Sequence, residues 1–382
     1  MTIMNSKISG LLISWPLVLI CLAALLLCFK PPPKQKTAIR ANGITVTDMK
    51  GGTITLDGPA QSVFILTPIL WHYLSVNLDD KPVVKIPPYM VREFNSSFLG
   101  SAFPNLKKKS LAFTDFTGPA PISVEEILQS SPDVAIVWDY MSKGLELINF
   151  QGLVKTTADG GDKTKIFNTL ADLTGRKERV NWLWARFERE RGKVIEDLGD
   201  CRAPVKAVVI GTTGLTLWGP PSQRWFMDNM KKVCGQNAAD GFGSANGQLN
   251  IENLLILDPD VIYLNPYILD QTNLETKTIL DDPRLRGLKA VRDRRVYHMP
   301  LGGSRLEGPV EAALAVLWLR LTLHPEVPSA LDLRSAVRQT YREVYGYEMS
   351  EDEINIWLRL EENLSSAYYD RFAGKESSDG GI

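Results

Sequence analysis

The feature that most constrains the fold of this chain is a short pattern that occurs twice. It reads SVEEILQSSPDVAIV at 123–137 and NIENLLILDPDVIYL at 250–264. In each copy a good N-cap residue, Ser123 or Asn250, precedes a short helical stretch, because its side-chain oxygen can accept the free amides of a first turn. A proline then ends the helix, and an apolar run of strand length follows. Each copy therefore predicts a capped helix that leads into a buried strand.

Two copies of one αβ unit at a domain-sized spacing predict two similar lobes. A chain of 382 residues is long enough to bury two hydrophobic cores. A ligand cleft between the lobes is a natural consequence of such an arrangement. The predicted fold class is α/β, with two Rossmann-like lobes bridged by a long α-helix and with extra helices at the C-terminus.

Composition and periodicity divide the chain into six segments. Between residues 162 and 198 proline is absent and apolar residues recur at helical spacing, which predicts a stiff connecting helix. Gly175 is a candidate break within it. The predicted segments are a signal or membrane anchor with its tether (1–40), a first α/β lobe (42–160), the connecting helix (162–198), a second α/β lobe (203–325), C-terminal helices (326–372) and a disordered tail (374–382).

The charge balance argues against a nucleic-acid partner. Lysine and arginine total 43 against 44 aspartates and glutamates, for a formal net charge of −1. The basic triplet Lys107–Lys109 is typical of a solvated loop. Phosphate binding would need a concentrated positive surface, so we expect no nucleic acid partner. We also expect the protein to be a monomer.

The N-terminal region contains an apolar stretch that resembles a membrane span. Leu11–Phe29 carries no charge, and 19 helical residues at about 1.5 Å each would span about 28 Å, close to a bilayer core. This is an export signal or a membrane anchor. Cys28 follows leucines rather than the small residue of a lipoprotein cleavage site, and the cations after the stretch outnumber Lys7 before it. We therefore expect a retained anchor or a poor lipoprotein signal, with the folded part outside the cytoplasm, either tethered or secreted.

Two further cysteines, Cys201 and Cys234, fall in the predicted second lobe. In an exported protein they could form one disulfide, and two separate buried thiols are an equal alternative. No Cys-x-x-Cys motif or Cys/His cluster occurs in the sequence, which argues against a structural zinc site.

An ordered set of segments across residues 42–372 resembles the substrate-binding proteins of ABC importers for ferric siderophores, haem, corrinoids and related chelates (the class III periplasmic binding proteins). In that family a long helix bridges two α/β lobes. The C-terminal helices resemble the iron- and nickel-chelate branch more than the corrinoid branch. The segments that carry the resemblance are the opening hairpin and first strand (44–66), the two repeated units, LWGPPSQRWFMDNMKKVCGQNAA (217–239), AVRDRRVYHMPLG (290–302) and AVLWLRLTLHPE (315–326).

The resemblance implies a docking role for one glutamate on each lobe. Glu125 and Glu252 occupy the motif positions at which the family places carboxylates that contact arginines of the membrane permease. An alternative role is local, because a carboxylate in a first helical turn is favourable by about 0.3–1 kcal/mol through the helix dipole.

The ligand site is predicted from the rule that open α/β sheets bind ligands beyond the carboxyl ends of their strands. Aromatic faces suit planar organic chelators, and arginine suits their negative groups, although each aromatic residue could instead belong to the core. The candidate ligand-binding residues are Trp71, His72, Trp138, Tyr140, Trp218, Arg224, Tyr267 and Arg305.

Metal ligation and catalysis are less favoured by the sequence. Of the three histidines, His72 alone has a site-like position, so it is the candidate to ligate the metal of a bound chelate. No Gly-x-Ser-x-Gly elbow, Walker loop or His-Glu-x-x-His helix occurs in the sequence. We therefore expect a protein that is not an enzyme and needs no cofactor of its own.

These patterns lead to one interpretation and one rival. The interpretation is an extracytoplasmic, membrane-tethered protein that binds a metal chelate, most readily a ferric siderophore, and delivers it to an ABC permease and its ATPase. The rival is an anchored sensor or scaffold that has the same fold without a transport role.

Overall fold

The computed structural model describes residues 43–67, 69–86, 98–109, 124–157, 162–201, 203–211, 224–240, 250–265, 275–303 and 306–374. No helix among these residues is both long enough and apolar enough to cross a membrane. The predicted anchor at 11–29 lies outside the described residues, as do the tail from 375 onward and Ser123, the N-cap predicted for the first repeat.

Two parallel four-stranded sheets with helices around them form the architecture. The strands are β1 (Ile44–Thr47), β2 (Thr53–Leu56), β3 (Val63–Ile65), β4 (Val83–Lys85), β5 (Val134–Trp138), β6 (Leu153–Thr156), β7 (Val205–Gly211), β8 (Gly235–Asn237), β9 (Val261–Asn265) and β10 (Val296–His298). The α-helices are α1 (Ile69–Asn77), α2 (Leu99–Ala102), α3 (Val124–Ser130), α4 (Lys143–Leu147), α5 (Lys163–Thr174), α6 (Lys177–Leu198), α7 (Arg224–Lys232), α8 (Ile251–Leu257), α9 (Thr276–Leu280), α10 (Lys289–Arg292), α11 (Gly308–Leu323), α12 (Leu333–Tyr345) and α13 (Glu351–Leu358).

The two sheets have the same strand order. The first is ordered β4-β3-β5-β6 and the second β10-β9-β7-β8, and every pairing within them is parallel. In both sheets, therefore, the first strand lies between the second and the third along the chain. Strands covered on both faces are apolar throughout rather than alternating, and β5 and β9 are accordingly buried along almost their whole length. This equivalence agrees with the repeat found in the sequence.

The Pro-Asp pair of each repeat joins two neighbouring strands. The Asp133 carboxylate accepts the Ser62 amide at 2.9 Å just before β3, and the Asp260 carboxylate accepts the Lys206 amide at 2.8 Å in β7. Each aspartate thus satisfies a backbone donor at the start of the adjacent strand. The aspartate of the repeat therefore links the same two strand positions in both sheets.

The connector between the sheets consists of two consecutive helices. Asp162 caps α5 by accepting the Thr164 amide at 2.8 Å. Gly175 ends α5 with a φ of +69°, a left-handed conformation that glycine adopts without the steric cost of a side chain. The longer helix α6 follows at once and packs along α11. The predicted break at Gly175 is therefore present.

The C-terminal helices pack against both halves of the molecule. Ser350 caps α13 in a reciprocal capping box with Glu353, as its sequence predicts. Phe98, which precedes α2, packs on Tyr341 of α12 with ring centroids 4.1 Å apart. The Asn363 side chain exchanges hydrogen bonds with the backbone of His298 in β10, at 2.7 and 3.1 Å. The segment after α11 thus contacts Phe98 in the first half and His298 of β10 in the second.

Candidate functional site

The shared strand order fixes where a crevice can form. In each sheet the connections leave the first and third strands toward opposite sides, which opens a crevice at their carboxyl ends. In the first sheet that position lies beyond β3 and β5, and in the second beyond β7 and β9. Residues 212–223 and 266–274, which follow β7 and β9, lie outside the described residues.

The candidate ligand residues of the second lobe therefore cannot be placed by their side chains. Trp218, Tyr267 and Arg305 lie outside the described residues, and Arg224 begins α7 while its side chain lies outside them. Their roles stay predictions.

Two of the first-lobe candidates form one aromatic surface at the crevice. Trp138 is the last residue of β5, and its ring stacks on Tyr140 with centroids 5.7 Å apart and an interplanar angle of 15°. Tyr140 is 56% exposed. Partial burial raises the pKa of its phenol, so the hydroxyl remains neutral near neutral pH. This pair presents a flat aromatic face at the carboxyl end of a central strand.

An ion pair flanks this aromatic face and was not predicted from the sequence. Lys50 Nζ lies 3.1 Å from Asp139 Oδ2, and both side chains are almost half exposed. Asp48 holds the turn that carries Lys50, because its carboxylate accepts the amides of Lys50 and Gly52 at 2.9 and 2.7 Å. The Lys50-Gly51-Gly52 sequence indicated the hairpin turn, but nothing local shows that this turn lies beside β5. The crevice therefore has a lysine–aspartate ion pair next to its aromatic face.

Trp71 and His72 are buried in α1, which follows β3. They are 3% and 4% exposed, respectively. The His72 ring lies 5.1 Å from the Phe167 ring of α5, and a side chain at Gly308 would come within 3.3 Å of His72 Cε1. His72 is therefore enclosed by α5 and the start of α11, and its role as a metal ligand stays a prediction. Among the described residues no group of three or more histidine, cysteine or acidic side chains could hold a metal ion.

Glu125 and Glu252 occupy equivalent positions in the two sheets. Each is the second residue of a helix, α3 or α8, that turns directly into the third strand of its sheet. Such a helix runs antiparallel to the strand, so its first turn lies at the carboxyl edge. Both glutamates are exposed, and neither forms an ion pair with another described residue. Asn250 caps α8 in a reciprocal capping box with Asn253.

A separate cavity lies among the helices rather than at the crevice. Its volume is about 310 Å³, and it is lined by residues of α6, α11 and α12 together with 330–332. None of its lining residues belongs to the segments that follow the strands. We therefore assign the candidate ligand site to the crevice and not to this cavity.

A disulfide joins Cys201 and Cys234, whose Cα atoms lie 5.7 Å apart. Cys201 precedes β7 and Cys234 precedes β8, so the bond lies where these two strands begin, at the edge opposite the crevice. The disulfide is thus part of the scaffold of the second sheet and not part of the ligand site.

Comparison with known proteins agrees with this architecture. A family model described as periplasmic binding protein matches residues 101–301. The molybdate-binding protein MolA of Haemophilus influenzae is 25% identical over 254 residues, which are 59% of this chain and 70% of MolA. A periplasmic solute binding protein from Veillonella parvula has a TM-score of 0.71 at 23% identity and covers 85% of this chain and 99% of its own. Helicobacter pylori CeuE with Ni(II) bound has a TM-score of 0.64 at 18% identity and covers 82% and 99%.

The solved structures share the two-lobed α/β fold, and this confirms the predicted fold class. The family model covers more than half of the sequence. The chain therefore belongs to the periplasmic binding protein family, the substrate-binding components of ABC transporters.

Proposed function

We propose that this protein binds a metal chelate, with a ferric siderophore as the leading ligand, in the crevice at the carboxyl edges of its two sheets. It then delivers the chelate to an ABC permease and its ATPase. In this proposal the protein acts outside the cytoplasm, tethered through residues 11–29. Glu125 and Glu252 are the two points of contact with the permease.

The observation that carries the ligand class is the Trp138–Tyr140 stack beside Lys50. An exposed aromatic face binds planar organic groups by stacking, and an adjacent cation attracts their negative charge. Trp138 and Tyr140 provide the face, and Lys50 is held 3.1 Å from Asp139 at its border. A metal chelate with catecholate or similar planar arms combines both properties.

A small oxyanion is the second candidate ligand. The relative MolA is named for molybdate binding, and an oxyanion would use the cation without needing the aromatic face. The two ligand classes therefore differ in how strongly they depend on Tyr140.

Native mass spectrometry of the full chain in detergent tests the proposal. The ligands offered to the protein are iron(III) tris-catecholate, nickel and cobalt chelates, haem, cobalamin and molybdate. We expect a selective complex with iron(III) tris-catecholate that Tyr140→Ala weakens at least about fivefold, the loss of one stacking contact. Tyr368→Ala is the matched control, because Tyr368 is similarly exposed, at 55%, but lies in the C-terminal segment.

Other outcomes of this experiment have defined meanings. A selective molybdate complex that is indifferent to Tyr140→Ala would replace the chelate with the oxyanion. No complex with any compound would remove the support for chelate transport and favour the sensor or scaffold.

A further inference from the structure

The segment that follows β10 is held by one buried carboxylate. Glu311 of α11 is fully buried and accepts the Gly303 amide at 2.8 Å and the Leu306 amide at 3.3 Å. A side chain at Gly302 would come within 2.3 Å of a Glu311 carboxylate oxygen, so the backbone approaches the carboxylate as closely as glycine allows. Leu306 has a φ of +58°, a left-handed conformation that costs free energy without glycine and persists where the surroundings impose it.

The carboxylate is itself held by Tyr341 of α12. The Tyr341 hydroxyl donates to Glu311 and accepts the indole N–H of Trp357 at 2.9 Å. The Trp357 carbonyl in turn accepts the Leu301 amide at 2.8 Å. Leu301 is thus bound to α13, and the Trp357 side chain of α13 orients the Tyr341 hydroxyl of α12. Burial and the adjacent Glu311 charge raise the pKa of Tyr341 far above its usual value, which keeps the hydroxyl available as a donor.

The Tyr341 ring also contacts the other half of the molecule. It lies 4.1 Å from Phe98, in an edge-on contact, and stacks on Tyr345 at 5.7 Å. Phe98 lies between β4 of the first sheet and α2, whereas residues 301–303 follow β10 of the second sheet. Tyr341 contacts Phe98 directly and Gly303 through Glu311.

We infer that Tyr341 and Glu311 are positioning residues that hold residues 301–303 and Leu306, together with Phe98, in one fixed arrangement beside the ligand crevice. This inference rests on the proposed function in that residues 301–303 follow β10 at the carboxyl edge where the proposed ligand site lies. It gives α12 a role in positioning the ligand site. The location of α12 in the sequence, far from both repeats, does not indicate this role.

Tyr341→Phe is the test, because it keeps the ring contacts and removes only the hydroxyl. Tyr369→Phe is a matched control in the same C-terminal segment. Tyr369 is also fully buried, accepts an indole N–H from Trp318 at 3.1 Å and donates to the Leu358 carbonyl at 2.7 Å. Each variant loses one buried hydroxyl with two hydrogen bonds, so both should lower global stability.

Hydrogen–deuterium exchange of the unliganded full chain provides the readout. We expect the amides of Gly303 and Leu306, followed in peptides that contain them, to exchange about tenfold faster in Tyr341→Phe, since a hydrogen bond to a charged group is lost. The same peptides should be unchanged in Tyr369→Phe. Unchanged exchange in Tyr341→Phe would overturn the inference. Equal acceleration in both variants would also overturn it, because the effect would then be global opening.

Affinity for iron(III) tris-catecholate separates this inference from the proposed function. We expect a several-fold loss in Tyr341→Phe and none in Tyr369→Phe. If neither the wild type nor the variants bind the probe, the chelate proposal fails, while the exchange experiment still decides whether Tyr341 and Glu311 position the segment.

Discussion

At the scale of single residues, His324 is the clearest pH-sensitive group. It follows α11, is 7% exposed, and its Nε2 lies 3.0 Å from the Val233 carbonyl. Burial lowers its pKa below the usual 6.5, and the Val233 hydrogen bond and the charge of Glu326 oppose that effect only in part. Because Arg320 and Arg295 also lower the pKa, the imidazole is neutral in the folded protein at neutral pH.

The sign of the resulting pH dependence follows from proton linkage. The unfolded chain binds a proton at residue 324 more readily than the folded chain, so the stability associated with His324 is fully present above about pH 6.5. It is lost as the pH falls toward the lower folded pKa. We expect His324→Gln, which can still donate to the Val233 carbonyl, to flatten the fall of the unfolding midpoint between about pH 7 and 5. Parallel midpoint curves for the variant and wild type, measured by calorimetry, would contradict this prediction.

Lys50 gives a second prediction at this scale. If Lys50 attracts an anionic chelate, Lys50→Gln should weaken binding of iron(III) tris-catecholate by about three- to tenfold at low salt, and by less at high salt. Lys193→Gln is the matched control, because Lys193 is 51% exposed and paired with Glu190 at 2.9 Å on α6. Equal affinities for both variants in titration calorimetry would show that Lys50 does not contact the ligand.

At the scale of elements, local sequence predicted most of the strands and helices and little of their contacts. The hairpin of β1 and β2 and both repeated units occur where their patterns place them, because turn residues, N-caps and apolar runs act over a few positions. The Lys50–Asp139 pair and the Tyr341–Glu311 hydrogen bond join residues 89 and 30 positions apart. Such contacts depend on how distant elements pack together. A single sequence contains no local pattern that predicts this packing.

The disulfide between Cys201 and Cys234 gives a prediction for the second sheet. It closes a loop with a sequence separation of 33, and removing it should lower the free energy of unfolding by about 2–4 kcal/mol, chiefly because the unfolded chain gains freedom. The measurement is denaturant unfolding of Cys201→Ser/Cys234→Ser beside the wild type with and without reductant. Reductant should lower the stability of the wild type alone. Two free thiols in the folded wild type by mass spectrometry would refute the bond.

At the scale of the whole molecule, the paired glutamates predict how transport depends on docking. The wild-type protein is expected to stimulate ATP hydrolysis by the permease–ATPase complex. The double variant Glu125→Lys/Glu252→Lys should abolish this stimulation, because the new lysines would face the positive charges of the permease in the interface. Ligand affinity should stay unchanged.

Asp352→Lys is the control for this experiment. Asp352 is also an exposed acidic residue at the second position of a helix, α13. Full stimulation by the Glu125/Glu252 double variant would favour the sensor or scaffold role. If Asp352→Lys abolished stimulation as well, the effect would be one of net charge and not of docking.

The contacts between the two halves also predict how far the lobes can move. Besides the connector α5 and α6, the chain links the halves through Arg179, whose Nε donates to the Ser75 carbonyl at 3.2 Å and whose guanidinium also reaches Val344 of α12. Lys163 of α5, which is buried, forms an ion pair with the partly exposed Glu307 just before α11. Closing the lobes by a large angle would have to bend α6, which breaks backbone hydrogen bonds. It would also separate these contacts, which leaves the buried Lys163 charge without its partner. Small-angle X-ray scattering measures whether the lobes close. We therefore expect the radius of gyration to be the same, within error, before and after saturation with iron(III) tris-catecholate. A clear compaction on ligand addition would show that the connector and the C-terminal helices permit a hinge. The crevice would then be assembled by the ligand and not beforehand by the fold.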